Sequence, residues 1–208
     1  MKIILASVLL MGVSACTSLL PKPAPPPSFY ALDASVSAPA VASAASAPTL
    51  TVNPPLAAAG FDSARIIYVR KPHQLQYFAQ SEWVDTPARM LAPLLVTALQ
   101  RSGAFKAVVT SPSAAAAELR LDTEIVRLQQ DFDGADGSAV QFTLRATLVD
   151  NVTRKVLGSR EFDARVTAGS DAYSGVLAAN SAVQNLLAQL TSFCTAAAAA
   201  AAASASSN

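Results

Sequence analysis

Two cysteines, one histidine and a short run of aspartates are the residues with the most chemistry to offer in this 208-residue chain. Cys16 closes an apolar run in Val13-Ser14-Ala15-Cys16. The small residues before it suit a leader cleavage point, and cleavage there would leave a thiol at the new N-terminus. His73 follows Pro72 in a turn-forming stretch. No nearby acid orients it as a base, and no G-x-S-x-G elbow supplies a nucleophile, so it reads as a solvated loop residue. Asp131-Phe132-Asp133-Gly134-Ala135-Asp136-Gly137 invites a calcium loop, but positions five and twelve would be Ala135 and Phe142. The EF-hand order of oxygen ligands therefore fails, and Asp with Gly suits a hairpin turn. The chain cannot assemble a Cys/His zinc site. It also lacks both glycine-rich phosphate loops, so no metal or cofactor is expected. Cys194, the other thiol, lies in an apolar helical stretch and reads as a small buried hydrophobe. What remains is a domain expected to catalyse nothing and to hydrolyse no nucleotide.

Lys2, the apolar segment Ile3–Val13 and the small residues before Cys16 form a secretory signal over residues 1–15. The run is far shorter than the ~20 residues that span a bilayer. A cysteine immediately after the cut resembles the lipobox of bacterial lipoproteins, whose thiol receives diacylglycerol and whose chain is then acylated (palmitate among the groups used). Acyl chains contribute ~0.8 kcal/mol per buried methylene, so several of them would hold a water-soluble domain at a membrane.

Loss of Lys2 with the signal takes 15 basic against 14 acidic residues to 14 against 14. A neutral chain with no Lys/Arg cluster lacks the electrostatic footprint of a nucleic-acid binder. The hydrophobic content of 52% overstates the core, because much of it is alanine. Cys16 is used by lipid, which leaves Cys194 no intramolecular disulfide partner.

Residues 16–28 form a lipidated, proline-rich tether; prolines favour an extended spacer of ~3.1 Å per residue. Residues 29–195 are the folded domain. Phe29–Leu32 reads as a short first strand, and residues 34–48, rich in Ala, Ser and Pro, as a mobile insertion. Strands are expected at Thr49–Val52, Arg65–Arg70, Gln74–Gln80 and Phe105–Thr110. Thr86 as N-cap and Pro87 at the first helical position open a helix, which Gly103 stops and Pro93 should kink. Leu119, Leu121 and Ile125 share a strand face, with a phase break near Val126 that suggests a bulge. Val140, Phe142, Leu144, Ala146 and Leu148 alternate with polar residues. Val156, Phe162, Ala164 and Val166 do the same, with Arg160 interrupting. A last helix from about Asp171 to Thr195 carries Tyr173, Val176, Leu177, Val183, Leu186, Leu187, Leu190 and Phe193 as its apolar stripe. Residues 196–208 are a low-complexity tail whose alanines can extend the last helix and whose last residues should fray. One-sided strands and two amphipathic helices complete each other as a layered α+β domain.

The block from Pro72 through Gln74-Leu75-Gln76-Tyr77-Phe78 to Trp83 continues into Val84-Asp85-Thr86-Pro87-Ala88-Arg89. With the later Arg101-Ser102-Gly103-Ala104-Phe105, and Phe29-Tyr30-Ala31-Leu32 soon after the lipobox, it resembles the ABC-type transport auxiliary lipoprotein family, the PqiC-like proteins. The resemblance covers roughly Phe29 to Phe193 apart from the insertion. It implies a mixed, largely antiparallel sheet with two main helices, similar to anticodon-binding-like or TolB N-terminal-like domains. It also implies MCE-domain proteins and an ABC permease with its ATPase as partners in lipid transport between inner and outer membranes. Thr17, in place of an aspartate that would retain the protein at the inner membrane, implies the periplasmic face of the outer membrane. A homo-oligomeric ring would suit the end of a conduit, although no residue requires one.

Trp83 reads either as a core anchor beneath the helix that starts at Thr86 or, with Tyr77 and Phe78, as part of a docking surface. Alternation places Tyr77 and Phe78 on opposite strand faces. The expectation is a non-catalytic, outer-membrane-anchored auxiliary lipoprotein of a lipid transport system. The rival reading is an envelope assembly or structural lipoprotein without a transport partner.

Overall fold

The computed structural model describes residues 26–34, 40–132 and 137–206. The signal segment, Cys16, the tether up to residue 25, residues 35–39 of the insertion, the Asp133–Asp136 turn residues and the last two residues lie outside this set. Three strands of 13 residues form the centre of the fold: β7 (Leu119–Asp131), β8 (Ser138–Asp150) and β9 (Val156–Ala168). They pair antiparallel, with Leu121 opposite Leu148 and Phe142 opposite Ala164. The alternation read in β8 gives a wall of Val140, Phe142, Leu144, Ala146 and Leu148, all buried. Polar partners on the other face include Arg145, which reaches Glu124 and Glu161. The phase break near Val126 is a bulge, where the register shifts between Ile125 and Arg127.

The second edge of β7 is covered piecewise. β2 (Thr49–Val52), β3 (Leu56–Ala57) and β4 (Arg65–Lys71) follow one another along it, each parallel to β7. β6 (Ala107–Thr110) pairs parallel with β2, and β5 (Gln74–Trp83) pairs antiparallel with β4. β1 (Ser28–Tyr30) adds to β5 in parallel and forms the edge. The sheet therefore forks beyond β7 into a β2–β6 arm and a β4–β5–β1 arm. Parallel segments are short and the long ladders are antiparallel, so the chain adopts the expected α+β class with its mixed, largely antiparallel sheet. The strand expected at Phe105 begins only at Ala107; Phe105 is instead a buried anchor in the preceding loop.

Helix α1 (Pro87–Arg101) sets Met90, Leu91, Leu95, Ala98 and Leu99 into the core. Thr86 makes no side-chain cap, a correction to the sequence reading. The Asp85 carboxylate instead accepts the Thr86 amide at 2.7 Å and pairs with Arg89 at 3.1 Å. Pro93 does not interrupt the helix. It and Arg89 lie on the exposed face, where water can satisfy the carbonyl that proline leaves unbonded. Gly103 ends the turn at φ 68°, and a Cβ there would lie 2.8 Å from Val41. The Val41 amide donates to the Arg101 carbonyl, the Lys106 amide to the Pro48 carbonyl, and Ala34 is buried, so the Ala/Ser/Pro segment touches the body at its middle and both ends.

Helix α2 (Ala172–Ser206) is longer than the expected element and continues through the alanine run. Val176, Ala179, Val183, Leu186, Leu190 and Cys194 form its inner face against β8 and β9. Tyr173 and Leu177, counted in the stripe by sequence, are exposed. Each sits one position, about 100° of helical rotation, away from the face that Ala172 and Val176 define. Over Ala172–Ala203 the helix is long and apolar enough to cross a membrane by length and composition. Its inner face is nevertheless spent on the sheet.

Three carboxylates hold backbone amides at the ends of elements. Glu118 accepts the Thr49 amide, Asp150 accepts those of Thr153 and Val152, and Asp171 accepts that of Ser174. These backbone bonds hold all three below their ordinary pKa. A depressed carboxylate stabilises the fold above its unfolded pKa, and that contribution fades as pH falls through the native value. The melting temperature should therefore drop on acidification below about pH 4. A Glu118→Gln/Asp150→Asn/Asp171→Asn variant should show a shallower acid slope in the same titration. Phe142→Ala removes a fully buried ring at the centre of the wall and should cost about 3–5 kcal/mol, measured by urea unfolding.

Candidate functional site

The aromatic block singled out in the sequence is split by the structure among three surroundings. Trp83, the last residue of β5, is 4% exposed. It borders a small cavity with Ile66, Leu128, Gln130, Gly175 and Ala179, so it lies under the N-terminal half of α2. Phe78 is half-buried and stacks on Tyr68 at 4.7 Å. Tyr77 is exposed, with the Arg65 guanidinium 4.8 Å above its ring. Tyr68 in turn meets Phe132 edge-on at 5.8 Å, and Arg70 covers Phe132 at 4.9 Å. Cation–π pairing of this kind contributes about 0.5–1 kcal/mol at exposed sites, which stiffens the β4–β5 hairpin. Its tip is His73, exposed and at φ 66°.

At the other end of β5 the chain enters the body. β1 lies on β5 with Tyr30 opposite Trp83, and the Val84 amide donates to the Tyr30 carbonyl at 2.8 Å. The Asn180 side chain then ties the next residues to α2: its amide donates to the Ala31 carbonyl at 3.1 Å and its oxygen accepts the Asp33 amide at 2.8 Å. Leu32 is buried beside them. An edge strand fixed this firmly leaves its outer backbone groups available for pairing. Large apolar side chains surround it: Phe29 is 60% exposed, Val84 58%, Tyr173 58% and Leu177 54%. Tyr30 and Tyr173 meet at 6.1 Å and join the strand to the helix. Sequence reasoning put Tyr173 and Leu177 in the core and so missed this patch. The available signal was the single residue by which they leave the inner helical face.

Nothing in these arrangements assembles a reacting centre. Among the described residues no three His, Cys, Asp or Glu side chains converge on a metal position. Burial pushes the Cys194 thiol up to about 12, so it stays protonated and unreactive. A polar network around Gln130 in the interior has an architectural role. The Gln130 amide donates to Ser138 Oγ at 2.8 Å, the Gly169 carbonyl at 3.1 Å and the Asp171 carbonyl at 3.3 Å. That fastens the start of α2 to β7. The Gln130 Oε1 has no hydrogen-bond partner and faces Gly175, where a Cβ would collide with it.

A family model described as the ABC-type transport auxiliary lipoprotein component matches residues 30–191. Among solved structures, a Xanthomonas campestris protein of family DUF330 is 24% identical with TM-score 0.75, covering 84% of this chain and 98% of that one. An uncharacterised protein is 15% identical with TM-score 0.61, covering 80% and 97%. The PelC dodecamer from Paraburkholderia phytofirmans is 17% identical over 74% and 93%; its TM-score of 0.39 is too low to carry any statement about assembly. No curated protein matches the sequence. The first two likenesses establish the fold alone.

Gly175→Ala should cost about 1–3 kcal/mol by forcing Gln130 off at least one of its acceptors. A double-mutant cycle with Gln130→Ala should give a clear coupling energy in thermal melts. Independent, additive effects would mean that the two residues do not constrain one another.

Proposed function

Because the chain belongs to the ABC-type transport auxiliary lipoprotein family, we propose that it is the lipid-anchored auxiliary component of an MCE/ABC-type lipid transport system. Acyl groups on Cys16 hold it at the periplasmic face of the outer membrane. Its partners are an MCE-domain protein and, through it, the permease and ATPase that supply energy. The domain contributes attachment and a docking surface, and no catalytic step.

The observation that carries this reading is where the family match meets the fold. It begins at Tyr30, in the first strand, and takes in both helices down to residue 191. The residues just before β1 lead back to Cys16, so the body is hung from the membrane by the edge that bears Phe29, Val84, Tyr173 and Leu177. A free edge strand flanked by aromatic and aliphatic side chains offers main-chain pairing for affinity and side-chain pockets for selectivity. Trp83 backs this surface from inside as a core residue, while Tyr77 and Phe78 stiffen the neighbouring hairpin.

Cys16→Ser should move the protein from the membrane to the soluble periplasmic fraction, and mass spectrometry should find no acyl groups on it. A Phe29→Asp/Leu177→Asp variant keeps the lipid anchor. It should lower co-purification of the MCE-domain protein about tenfold, the loss expected when an interface anchor worth some 1.4 kcal/mol is removed, with melting unchanged. Full recovery of the partner by this variant would place docking elsewhere. Recovery of no MCE-domain protein by the unaltered chain would favour a structural envelope lipoprotein.

A further inference from the structure

On the side of the body away from β1, the C-terminal half of α2 and Arg160 of β9 border an open groove of about 510 Å³. Small-molecule sites span roughly 300–1,000 Å³. Its one charged lining residue is Arg160, which occupies a position where the apolar phase of β9 calls for a hydrophobic side chain. The Arg160 guanidinium lies 5.2 Å from the centroid of the buried Phe162 ring. Among the described residues no carboxylate comes within ion-pair distance of it, whereas Arg89, Arg120, Arg145 and Arg165 each have one. Gln189 and Ser192 line the same groove and can donate hydrogen bonds to an anion.

The rest of the lining has the opposite character. The Phe193 ring meets Phe162 edge-on at 5.7 Å and rests over Gly158, where a Cβ would stand 3.1 Å from it. Ala196 and Ala197 continue the wall along the helix. From Ala172 to the end of the sequence there is no Asp, Glu, Lys or Arg. One unpaired cation with two neutral donors at one place, and an uncharged apolar wall leading away from it, suit a ligand with one anionic group and a long hydrocarbon chain. A guanidinium is well matched to phosphate oxygens. A peptide carboxylate could reach Arg160, but the wall of Phe193, Ala196 and Ala197 has no side-chain group for its amides to bond. An acyl chain needs none.

We propose that this groove binds the phosphate and one acyl chain of a phospholipid, with Arg160 holding the phosphate and Phe193, Ala196 and Ala197 lining the chain. The module would then hold a lipid itself as well as attach to a partner. The proposal rests on the lipid-transport reading only for the choice of phospholipid over other phosphate-bearing amphiphiles.

The test is photo-crosslinking in cells that make the full-length, lipid-anchored chain. A benzoylphenylalanine replaces Ser192, or Thr167 on the exposed side of β9 as control, and adducts are identified by mass spectrometry. Phospholipid adducts are expected at position 192 and not at 167. Arg160→Glu should reduce them about tenfold, the loss of a charge-assisted contact, and Ala196→Glu, which changes an exposed helical residue, should reduce them similarly. Equal adducts at both positions, adducts insensitive to both substitutions, or adducts to protein only would overturn the proposal. Co-purification of the MCE-domain protein should be unchanged by Arg160→Glu, so failure here and failure of the docking reading are separable.

Discussion

Both edges of β7 must be hydrogen-bonded along its length, because the strand runs through the middle of the fold where backbone groups cannot turn to water. One edge is satisfied by β8 in an almost unbroken antiparallel ladder. The other is met by a chain that cannot follow it continuously: Asn53-Pro54-Pro55 stops β2, and residues 58–64 separate β3 from β4. The gaps are closed by single bonds, the Asn53 amide to the Leu121 carbonyl and the Ala58 amide to the Ile125 carbonyl. Each interruption also lets the chain turn outward, which is how the sheet comes to have two arms. α1 serves the β2–β6 arm and α2 serves the long ladders; Trp83 fills the space where the second arm meets α2.

Much of this was legible in the residues. Thirteen-residue strands with strict alternation announce a one-sided sheet, and the phase slip at Val126 announced its bulge. Parallel pairing was not legible, since β2, β3 and β4 are short and their partners are set by where the long strands lie rather than by any local period. The end of α2 was left open by the residues, because alanine has high helix propensity but little surface to bury; the run reads both as a low-complexity tail and as a continuation of the helix. Thr86 has the residue type of an N-cap and holds that position, but its side chain caps no amide; the neighbouring Asp85 accepts the Thr86 amide and puts a negative charge near the helix start.

The candidate surfaces were less readable, for a reason that also explains where they lie. Periodicity reports which residues face the core, and functional positions are departures from it. Tyr173 and Leu177 depart by one residue and emerge beside β1; Arg160 departs by being charged in an apolar phase and emerges beside Phe193. Alternation separated Tyr77 from Phe78 correctly but could not assign either of them to a partner. Phe78 depends on Tyr68, itself set against Phe132 once β4 lies against the end of β7, and Tyr77 on Arg65 across the hairpin.

The two surfaces sit at opposite ends of α2. Tyr173 and Ala196 are 23 residues apart on one helix, so about 35 Å separates them along its axis. The twelve residues from Cys16 to Ser28 can span at most about 43 Å even fully extended. If Cys16 carries the proposed lipid, the β1 edge stays within that distance of the bilayer. The groove beside Arg160 comes equally near only when α2 lies along the membrane plane. With α2 upright on the β1 edge, the groove points some 35 Å further out, toward the space a partner would occupy. A tether of that length permits two orientations with different neighbours for the same groove, and in the first of them Arg160 faces the lipid headgroups.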